Sequence, residues 1–142
     1  MLQLQRHRCA ANAQQTFSRL NVKLHAAGGL IATRPLVLHA GDTTMTVPFT
    51  TEGAHQLQEA FQKLFQTFAE KQKAQRPKRW DMMEWRHTSE DIGIEVFCNP
   101  NAYTTAFDAK LLITLGSRGG LTVTTEARLS AIASDLDNYL QG

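Results

Sequence analysis

Five cationic side chains followed by a tryptophan form the group of residues best suited to a chemical role. This cationic cluster consists of Lys71, Lys73, Arg76, Lys78 and Arg79, with Trp80 directly after it. Lysine and arginine bind backbone phosphates, and an indole ring stacks on unpaired bases. The cluster therefore predicts a contact with single-stranded nucleic acid. A solvated helix end is the alternative interpretation of the same residues.

A second set of polar residues is spaced for one face of a strand. From Arg19 to Ala26 polar and apolar residues alternate strictly, so that Arg19, Lys23 and His25 share one side. Such a face either binds phosphates or is an ordinary exposed sheet surface. The charge distribution favours the first half as the basic one: residues 1–49 carry a net charge of +4 and residues 50–142 a net charge of −2.

Neither cysteine lies in a recognisable catalytic or metal-binding pattern. Cys9 and Cys98 are the only two cysteines and form no C-x-x-C or Cys/His spacing, and no nucleophile elbow surrounds them. The glycine-rich run 116–120 lacks the lysine and following helix of a phosphate-binding loop, so it predicts a hairpin turn. We expect no catalytic residue, no metal, no cofactor and no enzymatic activity.

The composition is that of an ordinary globular domain. Of the 142 residues, 42% are hydrophobic and 20% charged, which predicts a single domain over residues 1–142. No apolar run is long enough to cross a bilayer and no signal peptide is recognisable, so we expect no membrane association. The sparse cysteines favour reduced thiols and a cytoplasmic location.

Apolar periodicity predicts four strands and then a helix in the first half, residues 1–76. The strands are expected around Leu2 and Leu4, at residues 19–26, at residues 30–38 with Pro35 limiting the strand to an edge or a bulge, and at residues 45–49. A helix follows with Thr50 or Thr51 as N-cap, and Pro77 ends it. Its apolar stripe is Leu57, Phe61, Leu64, Phe65 and Phe68.

The second half, residues 77–142, repeats this order. Strands are predicted at residues 78–87, 92–98 and 111–115 and around Leu121 and Val123. A helix then begins with Thr124 or Thr125 as N-cap and carries an apolar stripe of Leu129, Ile132, Leu136 and Leu140. The predicted fold class is α+β, with two successive antiparallel four-stranded meanders, each followed by an amphipathic helix.

Trp80, Met82, Met83 and Trp85 form the densest group of large apolar residues. If Trp80 and Met82 pack inward, Met83 and Trp85 are left on the opposite face, where exposed tryptophan and methionine are typical of a protein interface. This interpretation favours a homodimer or a docking surface. It supports the alternative function, a protein-interaction or complex-assembly factor that binds no nucleic acid.

The order of four strands, helix, four strands, helix resembles the Whirly family of single-stranded DNA-binding proteins and the smaller transcription-coactivator domains related to it. The Lys-Gly-Lys-Ala stretch of that family has no counterpart here, and the nearest two-glycine site is Ala27 to Leu30. The resemblance implies binding of single-stranded nucleic acid. Together with the charge pattern it predicts a non-catalytic, single-strand-preferring interface made by Arg19, Lys23, His25, Lys78, Arg79, Trp80 and Trp85.

Overall fold

Within residues 32–142, antiparallel strands twice lead into a helix. The computed structural model describes residues 32–142. Its elements are β1 (Thr33–Ala40), β2 (Thr43–Thr50), α1 (Thr51–Lys73), β3 (Met83–Ser89), β4 (Ile92–Cys98), a short 3-10 helix (Pro100–Ala102), β5 (Lys110–Ser117), β6 (Thr122–Arg128) and α2 (Leu129–Gln141).

The described strands form two antiparallel sheets. One is the hairpin of β1 and β2, and the other is a meander in the order β3-β4-β5-β6. The predicted α+β class and the second meander with its helix are confirmed. The first sheet has two strands within residues 32–142 instead of the predicted four, and the strands predicted around Leu2 and at residues 19–26 lie outside the described residues.

The β1–β2 hairpin turns at Gly41, whose φ of 62° lies in the left-handed region that glycine adopts without steric cost. All eight residues of each strand are paired, and Pro35 faces Pro48. Helix α2 contacts β1. Asp135 Oδ2 accepts the backbone N–H of His39 at 2.7 Å. The Arg34 guanidinium likewise donates to the carbonyl oxygen of Tyr139 at 2.8 Å. The first of these bonds gives a backbone N–H of β1 a partner outside the hairpin, and the second attaches a β1 side chain to α2.

Helix α1 begins as the sequence predicts. The Thr50 hydroxyl accepts the backbone N–H of Gly53 at 3.0 Å, which identifies Thr50 as the N-cap. Four of the five predicted stripe residues are buried, and Phe65 is 39% exposed. The buried members are Leu57, Phe61, Leu64 and Phe68. One face of α1 therefore closes the core, and its remaining residues are largely solvent-exposed.

The start of α2 differs from the prediction. Thr124 and Thr125 lie in β6, which continues to Arg128, and α2 begins at Leu129 without a side-chain cap. Pairing with β5 explains the difference, because Glu126 faces Leu112 and Arg128 faces Lys110 across an intact ladder. The predicted stripe is nevertheless largely correct, since three of its members are buried and Leu140 is half-buried. The three are Leu129, Ile132 and Leu136.

A single hydrophobic core joins the two halves of the described chain. It contains inward side chains of the hairpin, of α1, of the meander and of α2. Tyr139 of α2 links several of these elements, because its hydroxyl donates to the Phe49 carbonyl at 2.7 Å and its ring lies 4.5 Å from the Arg34 guanidinium. Among residues 32–142, no helix combines the length and apolar character needed to cross a bilayer.

Candidate nucleic-acid interface

The cationic cluster begins in the last turn of α1 and continues into the irregular segment before β3. Residue Ala74 ends the helix with an extended backbone, and its N–H donates to the Lys71 carbonyl at 3.3 Å. Pro77, which lacks a backbone N–H, follows three residues later. The Lys71 ammonium donates to the backbone carbonyls of Pro100 and Tyr103. Because Lys71 fixes the helix end to the 3-10 segment, the remaining cations start from a defined position.

Trp80 is held by the side chain of Asn101. The Trp80 backbone N–H donates to Asn101 Oδ1 at 2.8 Å, and Asn101 Nδ2 donates to the Trp80 carbonyl at 2.8 Å. Asn99 orients this amide, because its Oδ1 accepts from both the backbone N–H and Nδ2 of Asn101 at 3.0 Å. We call this arrangement the Asn101 clamp. It fixes the backbone at Trp80 at both its donor and its acceptor.

The clamp replaces a strand ladder that ends too early to reach Trp80. The β3–β4 register ends with Met83 opposite Cys98, and β4 is followed by the 3-10 helix that begins at Pro100. Trp80 and Asn101 each lie three positions beyond this last pair. The strand predicted at residues 78–87 is therefore wrong over residues 78–82, because no opposing strand remains to pair with them.

The side chains that precede the clamp are directed toward solvent. Lys78 and Arg79 are exposed, and Trp80 is half-buried. The Lys78 ammonium lies 4.6 Å from the centre of the Trp80 ring, a cation–π distance. An open depression of about 540 Å³ is lined by Lys71, Pro77, Lys78, Arg79, Asn99 and Asn101. A positive charge and an aromatic ring thus stand beside a shallow concave surface.

Half of the six Lys/Arg side chains elsewhere in residues 32–142 pair with a carboxylate. Arg86 pairs with Glu95 at 3.4 Å, Lys110 with Glu126 at 3.8 Å and Arg118 with Asp91 at 3.7 Å. Lys73, Arg76, Lys78 and Arg79 have no carboxylate within 4 Å among residues 32–142. This matters because residues 32–142 carry a net charge of −2, with all thirteen acids and eleven of the fifteen Lys/Arg. The available positive charge is concentrated in the cationic cluster.

The structure places the other predicted site residues elsewhere. Trp85 lies on the inward face of β3, where its ring stacks on His87 at 5.6 Å and lies 6.1 Å from Phe49. Arg19, Lys23 and His25 lie outside the described residues. The structure therefore brings together Lys78, Arg79 and Trp80 of the predicted set.

The predicted orientation of the Trp/Met group is reversed. Met83 and Trp85 pack against the core, whereas Met82 is 48% exposed and Trp80 precedes the strand. The sequence patterns described above do not indicate Asn99 and Asn101, because an Asn-Pro-Asn run is typical of a turn. A signal was present, since an asparagine just beyond a strand is well suited to bond nearby backbone groups.

Cys98 and the acids between β3 and β4 are the other residues that could carry chemistry, and each is buried or has a partner. Cys98 is buried, and burial raises the pKa of its thiol from 9.0 to about 11, so the nucleophilic thiolate is disfavoured at neutral pH. In the turn between β3 and β4, which carries two acids, Asp91 pairs with Arg118 and Glu90 accepts from the Thr33 hydroxyl at 2.9 Å. Within the described residues, no group of three or more His, Cys, Asp or Glu side chains is arranged to hold a metal ion.

Comparison with known proteins identifies no relative, since no family model, curated protein or solved structure matches this chain significantly.

Proposed function

We propose that the chain binds single-stranded nucleic acid without catalysis, through an interface formed by Lys73, Arg76, Lys78, Arg79 and Trp80. The observation that carries the proposal is the Asn101 clamp, which holds Trp80 in place beside cations that have no carboxylate partner among residues 32–142. An aromatic side chain on an anchored backbone, beside phosphate-binding cations, is an arrangement suited to single-strand binding.

The members of the proposed interface have different roles. Arg76 and Arg79 are exposed and supply charge to phosphates. Trp80 offers its indole ring for stacking on a base, and Lys78 covers one face of that ring until a phosphate draws its ammonium away. Stacking on an indole is tolerant of base identity, so the expected preference is for unpaired strands over any particular sequence.

The basic residues before residue 32 are consistent with the same function. Residues 1–31 contain no acidic residue and four cationic ones, namely Arg6, Arg8, Arg19 and Lys23. The element order predicted from the sequence, which resembles that of the Whirly family, is a further argument for single-strand binding.

Titration of labelled single-stranded and duplex oligonucleotides tests the proposal. In a Trp85→Phe variant Trp80 is the only tryptophan, so its fluorescence reports contact with a base directly. We expect quenching by single strands and weaker binding to duplex. Four phosphate contacts predict that affinity falls about 50-fold between about 50 and 200 mM salt. Absence of binding at low salt would end the proposal, and salt-insensitive binding would exclude the phosphate contacts.

Protein interaction remains the second candidate because of one specific feature, the exposed Met82 in a groove beside β3. Capture of partners before and after nuclease treatment separates the two functions. Partners that are lost after nuclease treatment support nucleic-acid binding, and partners that are retained support a protein interface.

A further inference from the structure

In the part of the chain that the structure describes, one edge of the four-stranded sheet has no neighbouring strand. Within residues 32–142, β3 pairs only with β4 and therefore ends the sheet. Residues 81–86 line a groove of about 670 Å³ whose opposite wall is the polar side of α1, including Glu59, Lys63 and Thr67. The edge of a strand presents unpaired backbone donors and acceptors, so this groove is suited to an extended segment.

Apart from its pairing with β4, β3 contacts the rest of the fold through its inward side chains. Trp85 and His87 pack on Phe49 with ring centroids 6.1 and 5.3 Å apart. Glu84 and Arg86 lie on the opposite face and are exposed. The outward face of the β3 edge therefore carries one acid and one base, placed symmetrically about Trp85.

Twofold symmetry restricts how two β3 strands can pair side by side. Opposed residues in an antiparallel pair lie on the same sheet face. In a symmetric pair one residue therefore faces its own copy, and the twofold axis lies between the two. An axis at Glu84 sets two carboxylates against each other, and an axis at Met83 sets Asp81 against the inward Trp85. An axis at Trp85 sets Glu84 of each copy against Arg86 of the other, which forms two ion pairs.

We infer that the groove between β3 and α1 receives β3 of a second copy of this chain, in an antiparallel register centred on Trp85. The self-complementary charges select this occupant, because the same edge supplies both members of each ion pair. Arg86 then lies between Glu95 of its own chain, at 3.4 Å, and Glu84 of the other copy. The two sheets become one continuous eight-stranded sheet with an α1 helix beside each half of the junction.

Charge reversal tests the pairing with the full chain in solution. We expect light scattering after size exclusion to give twice the monomer mass for the natural sequence. Glu84→Arg and Arg86→Glu each set like charges in opposition, so each is expected to weaken the dimer at least about 100-fold. An equal mixture of the two variants restores both ion pairs and is expected to form a heterodimer.

Three outcomes overturn the inference: a natural chain that stays monomeric at its highest soluble concentration, single variants that dimerise as well as the natural chain, or a mixture that stays monomeric. Glu126→Arg on the outward face of β6 is the matched control, because it reverses the charge of another exposed carboxylate, which pairs with Lys110, on the other outermost strand of the meander. Circular dichroism of every variant confirms folding. Oligonucleotide binding is measured separately, so the dimer can fail while the proposed function stands.

Discussion

The first turn of α1 and the His87 ring are so close that only glycine fits between them. A Cβ atom placed on Gly53 would lie 2.8 Å from Nε2 of His87 and 3.0 Å from the Thr50 hydroxyl oxygen. The His87 ring is itself confined, because it stacks on Trp85 and meets Phe49 edge-on at 5.3 Å. This contact joins α1 to β3 and so helps to position the wall of the groove.

Gly53→Ala is expected to destabilise the protein by about 1–2 kcal/mol, although the same change in an exposed helix interior stabilises by roughly 0.5–1 kcal/mol. The reason is the forced displacement of His87 from its aromatic neighbours. Urea unfolding of Gly53→Ala, His87→Ala and the double variant measures the coupling. In the His87→Ala background Gly53→Ala should become neutral or stabilising, and an unchanged cost there would contradict the account.

The helix N-cap gives a second prediction. Thr50→Ala removes the hydroxyl that accepts the Gly53 N–H and is expected to lower the free energy of unfolding by about 1 kcal/mol. Thr51→Ala is the matched control, since Thr51 is exposed and is the first residue of α1. Chemical denaturation of both variants should show a loss for Thr50 alone. Equal losses would show that the hydroxyl at the cap contributes nothing specific.

Removal of the Asn101 clamp is expected to make the backbone around Trp80 less ordered. Asn101→Ala removes both hydrogen bonds to the Trp80 backbone and is expected to cost about 1 kcal/mol, with faster hydrogen exchange over residues 77–82. Asn101→Asp keeps the acceptor for the Trp80 N–H but sets a carboxylate against the Trp80 carbonyl, so it should behave similarly. Asn138→Ala, an exposed asparagine of α2, is the control.

Oligonucleotide affinity should fall in both Asn101 variants while its salt dependence stays unchanged, because the cations are still present. A variant that exchanges faster at Trp80 but binds as tightly as the natural chain would show that the clamp serves the fold alone.

The buried Cys98 thiol is expected to make the stability of the fold decrease at high pH. Burial raises the pKa of its thiol from 9.0 to about 11, so the protonated thiol stabilises the folded state below about pH 9, and this contribution is lost as the pH rises toward 11. In a Cys9→Ser background, alkylation near pH 8 should be far slower for the folded than for the unfolded chain. The difference in unfolding free energy between the Cys9→Ser variant and its Cys98→Ala derivative should shrink between pH 9 and 11. Rapid alkylation of the folded Cys9→Ser variant would refute the burial argument.

Elements that a single local pattern determines were predictable from the sequence. The apolar stripe of α1 and its threonine cap follow from helical spacing and local hydrogen bonding. The structure confirms four of the five stripe residues and selects Thr50 from the two predicted caps. The alternation through Met45, Val47 and Phe49 gave β2 for the same reason.

Elements decided by distant pairing were not predictable. Thr124 and Thr125 have good capping chemistry, but β5 pairs with them and extends β6 to Arg128. Residues 78–82 have a strand-like composition, but the chain after Cys98 turns into a 3-10 helix and leaves them no partner. The candidate site shows the same division. Charge and aromatic type identified Lys78, Arg79 and Trp80, whereas the role of Asn101 depends on a contact across 21 positions.

Salt dependence measured for a charge-reduced variant tests the proposed interface most directly. Arg76→Gln combined with Arg79→Gln removes two exposed cations and leaves Trp80 and its clamp in place. We predict that the slope of log affinity against log salt concentration for a single-stranded oligonucleotide becomes shallower by about 1.4. A slope identical to that of the natural chain would show that these cations contact no phosphate and would contradict the central claim.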